Sequence, residues 1–85
     1  MRLKNKVAVI TGSSSGIGEA IARAYKENGA HVVITYNNKK DSAEKIASEL
    51  NAPLCLHLDV RDRKSIKDCF KKTFDHYGVI NVLVN

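Results

Sequence analysis

The stretch Thr11-Gly12-Ser13-Ser14-Ser15-Gly16-Ile17-Gly18 constrains this 85-residue chain more than any other part of it. It follows the apolar run Val7-Ala8-Val9-Ile10 and opens a segment with helical periodicity. Glycines placed where a strand hands over to a helix let the backbone come close to an anion. The unpaired N–H groups of the new helix then point at that anion, and the helix dipole favours its negative charge. The stretch therefore reads as a phosphate-binding turn at the carboxyl end of a strand, a signature of α/β architecture.

The rest of the chain alternates strand and helix. The spacing predicts strands over residues 6–11, 31–36, 54–58 and 81–84. The first helix carries Ile17, Ala20, Ile21, Ala24 and Tyr25 at helical spacing and ends at Asn28-Gly29 with a left-handed cap. The second carries Ala43, Ile46, Ala47 and Leu50 on one face. Its start has two candidate caps, Asn38, or Asp41 with Glu44 as a capping box. Asp62 is read as the N-cap of the third helix, whose inner stripe is Ile66, Cys69, Phe70, Thr73 and Tyr77, with Gly78 at its end. Near-continuous apolar strands joined by helices predict a parallel sheet covered on both faces. Right-handed crossovers then give a three-layer, doubly wound, Rossmann-type sheet of strand order 3-2-1-4. Its switch point lies between strands 1 and 4, beside the glycine turn.

Composition excludes several classes. With 85 residues the chain is at most one small domain, and its 44% hydrophobic content is ordinary for a globular protein. No apolar run approaches the ~20 residues that cross a membrane, and Val7 to Ile10 is too short for a signal-peptide core, so the expectation is a cytoplasmic protein without a membrane partner. Cys55 and Cys69 lack metal-ligand spacing and are read as buried free thiols; no metal site is expected. The net charge of +5 is scattered, and its densest part, Arg61 to Lys72, is broken by Asp62 and Asp68. That reads as a solvated helix face, and no nucleic-acid partner is expected.

The glycine spacing T-G-x-x-x-G-x-G, the ending Leu58-Asp59-Val60 of the third strand and Val82-Leu83-Val84-Asn85 at the fourth resemble the short-chain dehydrogenase/reductase family, most of all its 3-oxoacyl-carrier-protein reductase branch. The resemblance runs from Leu3 to Asn85. It implies that Gly12 permits the tight turn, Gly16 admits the pyrophosphate and Gly18 lets the helix pack close to the sheet. The Ile17 N–H would face the pyrophosphate. Ser14 and Ser15 offer hydroxyls near the adenosine ribose. Ser13 stays open between contact and internal turn structure, because turns favour serine on their own account. Thr11 is expected to brace the first strand against Asn85 rather than to touch the cofactor. Asp59 would accept from the adenine amino group, with capping of the third helix as the other reading, and the Val60 N–H would reach a ring nitrogen. Asn85 would contact the adenosine ribose through its backbone.

In such folds the end of the second strand separates NAD from NADP, because an acid there grips the ribose 2′-hydroxyl. Here Tyr36, Asn37 and Asn38 occupy that place, followed by Lys39 and Lys40, and the first acid is Asp41. The segment favours NADP over NAD, although Ser15 stands where close members of the branch often place Arg. Lys39 and Lys40 are equally readable as a solvated helix start. Tyr36 and Lys40 match a Tyr-x-x-x-Lys spacing by accident, since one ends a strand and the other enters a helix. His31, His57 and His76 show no partner and receive no role.

The resemblance implies the N-terminal, cofactor-binding part (residues 1–85) of a single Rossmann domain that stops before the catalytic half. No catalytic residue is assigned within it. The parent is expected to be an NADP-dependent oxidoreductase that moves hydride between the nicotinamide and a ketone or 3-oxoacyl thioester, and to be a homo-oligomer. The alternative is an inactive fragment or a nucleotide-binding remnant.

Overall fold

A computed structural model describes residues 3–84. Its elements alternate as the sequence predicts: β1 (Val7–Ile10), α1 (Gly16–Glu27), β2 (His31–Tyr36), α2 (Lys40–Leu50), β3 (Cys55–His57), α3 (Arg63–Tyr77) and β4 (Val82–Val84). The four strands form one parallel sheet of order β3-β2-β1-β4. β1 and β2 run side by side from Val7↔His31 to Ile10↔Ile34.

Every residue of β1 is buried, because both faces of the central strands are covered. Successive side chains of a strand point to opposite faces, and the two cores follow that alternation. Ala8, Ile10, Val32 and Ile34 pack with Ala22 of α1 and with Ala43, Ile46 and Ala47 of α2. Val9, Val33, Leu58 and Cys69 form the second core, beneath α3. The second face is open beside β4, where Thr11, Val60, Ile66, Phe70 and Leu83 line a cavity of about 630 Å³. Arg23 of α1 ties the first two helices together, pairing with Glu19 at 2.9 Å and with Glu49 of α2 at 2.6 Å.

The helix ends follow local chemistry. Gly29 (φ 92) and Gly78 (φ 76) adopt the left-handed conformation that terminates α1 and α3. Asp62 caps α3 as expected, its carboxylate accepting from the Lys64 N–H at 2.9 Å. Asp62→Ala is expected to lower stability by about 1 kcal/mol, read as a lower urea midpoint at unchanged slope. An unmoved midpoint would mean that α3 begins without help from this side chain.

Three expectations need correction. Neither Asn38 nor Asp41 caps α2. Lys39 is the N-cap, without a side-chain bond, because its carbonyl already accepts from the Ala43 N–H at 3.0 Å. Asp41 then falls inside the first turn, where its charge suits the helix dipole, and Glu44 lies 3.8 Å from Lys40. The apolar stripe of α1 is also rotated. Ile17 is 81% exposed, Ala20 and Ala24 face solvent, and the inward face runs through Gly18, Ile21, Ala22 and Tyr25. The close approach of Gly18 to the turn before it fixes that rotation. Finally, Cys69 is buried but Cys55 only half-buried, as β3 lies at the sheet edge.

Candidate functional site

The carboxyl ends of β1, β2 and β3 meet at one end of the sheet, and the glycine turn closes over them. β1 pairs with β2 as far as Ile10↔Ile34, after which the chain reverses through Gly12 (φ 62). Ser15 is the N-cap of α1 in an extended conformation, and its side chain caps none of the helical N–H groups. The first intrahelical bond runs from the Glu19 N–H to the Ser15 carbonyl, so the N–H groups of Gly16, Ile17 and Gly18 point outward from the helix start. Gly16 is also left-handed (φ 59), and a Cβ at either Gly12 or Gly16 would meet nothing within 4 Å. Both glycines therefore bare their backbone to open space, the arrangement a phosphate needs. Gly18 differs. A Cβ there would lie 2.1 Å from the Gly12 carbonyl oxygen, so its smallness serves contact between helix and turn.

Two cavities flank this end of the sheet. One, of about 290 Å³, is lined by Thr11, Gly12, Asn37, Leu58, Asp59, Val60 and Arg61. It brings together four residues, Gly12, Asn37, Asp59 and Val60, from three separate segments that the sequence reading associates with a nucleotide. The other, of about 380 Å³, lies between α1 and α2 and includes Ser14, Ser15, Ser42 and Lys45. The hydroxyls of Ser14 and Ser15 thus belong to the α2 side of the turn. Tyr36 is half-buried against the first core, whereas Asn37 and Asn38 are exposed beyond the end of β2.

Of the two readings of Ser13, the internal one describes its side chain. Ser13 is fully buried. Its hydroxyl donates to the Ile10 carbonyl at 2.8 Å and accepts from the Thr35 N–H at 2.8 Å. Thr11 braces β1, with its N–H (2.9 Å) and hydroxyl (3.1 Å) both on the carbonyl of Val84, the residue before the expected partner Asn85. Asn85, the remaining residue assigned to the site, lies outside the described residues.

Asp59 does not cap α3, since Asp62 does. The Asp59 carboxylate accepts from the Arg61 N–H at 3.0 Å and from the Arg61 guanidinium at 3.2 Å. The backbone bond, then the guanidinium bond, holds this carboxyl below the usual aspartate range. It stays an acceptor-only group to lower pH than a free aspartate.

His57 has neighbours that its sequence context does not announce. Its Nδ1 lies 3.3 Å from the Ser65 hydroxyl, and its Nε2 lies 3.3 Å from Asn37 Oδ1. Ser65 in turn accepts from the Asp59 N–H at 2.8 Å. These contacts span 8 and 20 residues of sequence, and an isolated histidine within a strand gives no local sign of them. His31 and His76 both lie against the ring of Tyr77. Tyr36 and Lys40 sit on different elements, as expected. Among the described residues no group of three or more His, Cys, Asp or Glu is placed to hold a metal ion, and no helix is long and apolar enough to cross a membrane.

Comparison with known proteins agrees with this geometry. The family model described as short chain dehydrogenase matches residues 6–85. An uncharacterized oxidoreductase of Staphylococcus epidermidis is 44% identical over 85 residues, covering 99% of this chain and 36% of that protein. A short chain dehydrogenase from Burkholderia cenocepacia, solved in complex with NADP, superposes with a TM-score of 0.91 at 30% identity, over 100% of this chain and 36% of that one. The 3-ketoacyl-(acyl-carrier-protein) reductase from Brucella melitensis, solved with NADH, gives 0.86 at 32% identity, over 94% and 33%. This chain thus spans about a third of the length of the proteins it matches. With the family model extending over all but its first five residues, and with the sheet order and glycine turn in place, the chain belongs to the short chain dehydrogenase family.

Proposed function

We propose that residues 1–85 are the cofactor-binding part of a cytoplasmic, homo-oligomeric NADP-dependent oxidoreductase acting on a ketone or 3-oxoacyl thioester. The observation that carries this reading is the 290 Å³ cavity. It joins the bare backbone of Gly12 to Asn37 and Asp59 and has no acidic side chain at the end of β2. An acid at that place would accept from a ribose 2′-hydroxyl and repel a 2′-phosphate; an uncharged amide does neither. Lys39 and Lys40 follow directly and add positive charge. The solved relatives with NADP and with NADH supply the cofactor class.

The residues present fit such a cofactor. The outward N–H groups of Gly16, Ile17 and Gly18 would take the pyrophosphate, with Gly12 and Gly16 allowing its close approach. Asp59 and the Val60 N–H would hold the adenine edge. Tyr36, Asn37 and Asn38 would face the ribose, Ser14 and Ser15 would border it from the α2 side, and Asn85 would add a backbone contact. Ser13 acts from inside by fixing the turn. A bound nicotinamide cofactor supplies hydride, and the protein supplies orientation. Proton donation to the carbonyl falls to residues that the family places later in the chain. The apolar cavity at Val60, Ile66, Phe70 and Leu83, with Leu83 47% exposed, supports a further covering segment in the parent protein.

Fluorescence titration of the natural polypeptide carrying these residues tests the cofactor. NADPH is expected to bind about tenfold more tightly than NADH, the scale of one charge-assisted hydrogen bond. Tighter binding of NADH would overturn the NADP assignment. The reading frame beyond Asn85 tests the parent. Continuation to Ser and a helical Tyr-x-x-x-Lys is expected, whereas a stop codon would leave a nucleotide-binding remnant without a catalytic centre.

A further inference from the structure

His57, Ser65 and Asn37 form a hydrogen-bonded row that links the 290 Å³ cavity, lined by Asn37, to one of about 100 Å³ lined by His57 and Ser65, and its polarity follows from the Asn37 oxygen that faces the ring. A backbone N–H can only donate, so the Asp59 N–H occupies a lone pair of Ser65 Oγ at 2.8 Å. The Ser65 hydroxyl proton remains free to turn to His57 Nδ1, 3.3 Å away. A neutral imidazole that accepts at Nδ1 carries its proton on Nε2. That proton faces Asn37 Oδ1 at 3.3 Å. The opposite tautomer would set two acceptors, Nε2 and Oδ1, against each other. Asn37 therefore gives its carbonyl oxygen to His57 and turns its NH₂ group, two donors, away from the ring.

We propose that His57, held by Ser65, is a positioning residue that fixes the donor end of Asn37 toward the ribose 2′ position and so selects a 2′-phosphorylated nucleotide. The proposal rests on the NADP reading and names the device behind it. Asn37 lines the cavity with Gly12 and Asp59, and it stands 19 residues after Gly18, about where dinucleotide folds place the ribose-reading side chain. Phosphate oxygens accept only, so a fixed pair of donors suits them; a freely flipping amide would present its oxygen half the time. The row anchors at its far end on Ser65, which is 7% exposed at the start of α3. The exposed amide is thereby tied to the body of the fold.

The test is calorimetry of the natural polypeptide with adenosine 2′,5′-bisphosphate and with adenosine 5′-monophosphate. His57→Leu is expected to reduce the affinity ratio of the two ligands about fivefold, the scale of one net hydrogen bond. Ser65→Ala should act in the same direction. His57→Gln keeps an amide donor for Asn37 and should retain most of the ratio. Equal losses for both ligands, or an unchanged ratio in His57→Leu, would overturn the proposal. A wild-type protein that binds both ligands equally would instead overturn the NADP reading beneath it.

Discussion

Gly18→Ala is expected to be the most damaging single-methyl change in the chain. Its Cβ would lie 2.1 Å from the Gly12 carbonyl oxygen, 2.6 Å from the Gly12 carbonyl carbon and 3.1 Å from Ser13 Cα. All three are backbone atoms, so no side chain can swing aside. Either α1 lifts from the turn or the turn moves off the end of β1. A displacement of this kind in a packed interior costs about 3 kcal/mol. Gly16→Ala is the informative control. A Cβ there meets nothing within 4 Å, and only the left-handed φ of 59 opposes it, which costs about 1–2 kcal/mol. Urea unfolding of both variants should rank Gly18→Ala as clearly the worse. The reverse ranking would mean that the helix–turn contact is easily relaxed. Nucleotide affinity should fall for both, since the outward N–H groups of α1 depend on where the helix begins.

That contact also shows what the sequence could and could not reveal. The strands and the endings at Gly29, Asp62 and Gly78 were legible because each depends on chemistry within a few residues. The strand order followed from handedness and apolar content. The rotation of α1 was not legible. Ile17 and two alanines match an inward stripe at helical spacing, yet Gly18, which has no side chain to count, decides which face turns in. Ile17 instead stands 81% exposed at the mouth of the turn. The start of α2 was misread for a related reason. Asn38 and Asp41 are both good caps in isolation, and the Lys39 carbonyl takes the first helical bond between them. At the site, Gly12, Asn37, Asp59 and Val60 were found from motifs and do line one cavity. His57 and Ser65 were passed over because their partners come from β2 and from across the β3–α3 turn, which no local pattern records.

Ser13→Ala is expected to cost about 1–3 kcal/mol although it removes a single oxygen. The parallel ladder between β1 and β2 stops at Ile10↔Ile34, because the chain must turn at Gly12. Thr35, next on β2, is fully buried, and its N–H bonds to Ser13 Oγ at 2.8 Å. The serine hydroxyl thus extends the sheet by one bond past the end of β1. Alanine would leave that N–H buried without an acceptor, the expensive half of a broken hydrogen bond. The Ile10 carbonyl would suffer less, since the Thr35 hydroxyl also donates to it at 2.7 Å. Thr35→Val should therefore cost less than Ser13→Ala, because Ser13 still serves Ile10 when the threonine hydroxyl is gone. The double variant should be non-additive, as expected of neighbours that share an acceptor. Hydrogen exchange gives the direct reading: the Thr35 amide should lose protection in Ser13→Ala well beyond the fall in global stability. If protection and midpoint both stay near wild type, a water molecule has replaced the hydroxyl. Holding the ends of β1 and β2 together is also what sets the glycine turn and Asn37 at a fixed separation. The cost of losing Ser13 should therefore appear in nucleotide affinity, even though its side chain is sealed away from any ligand.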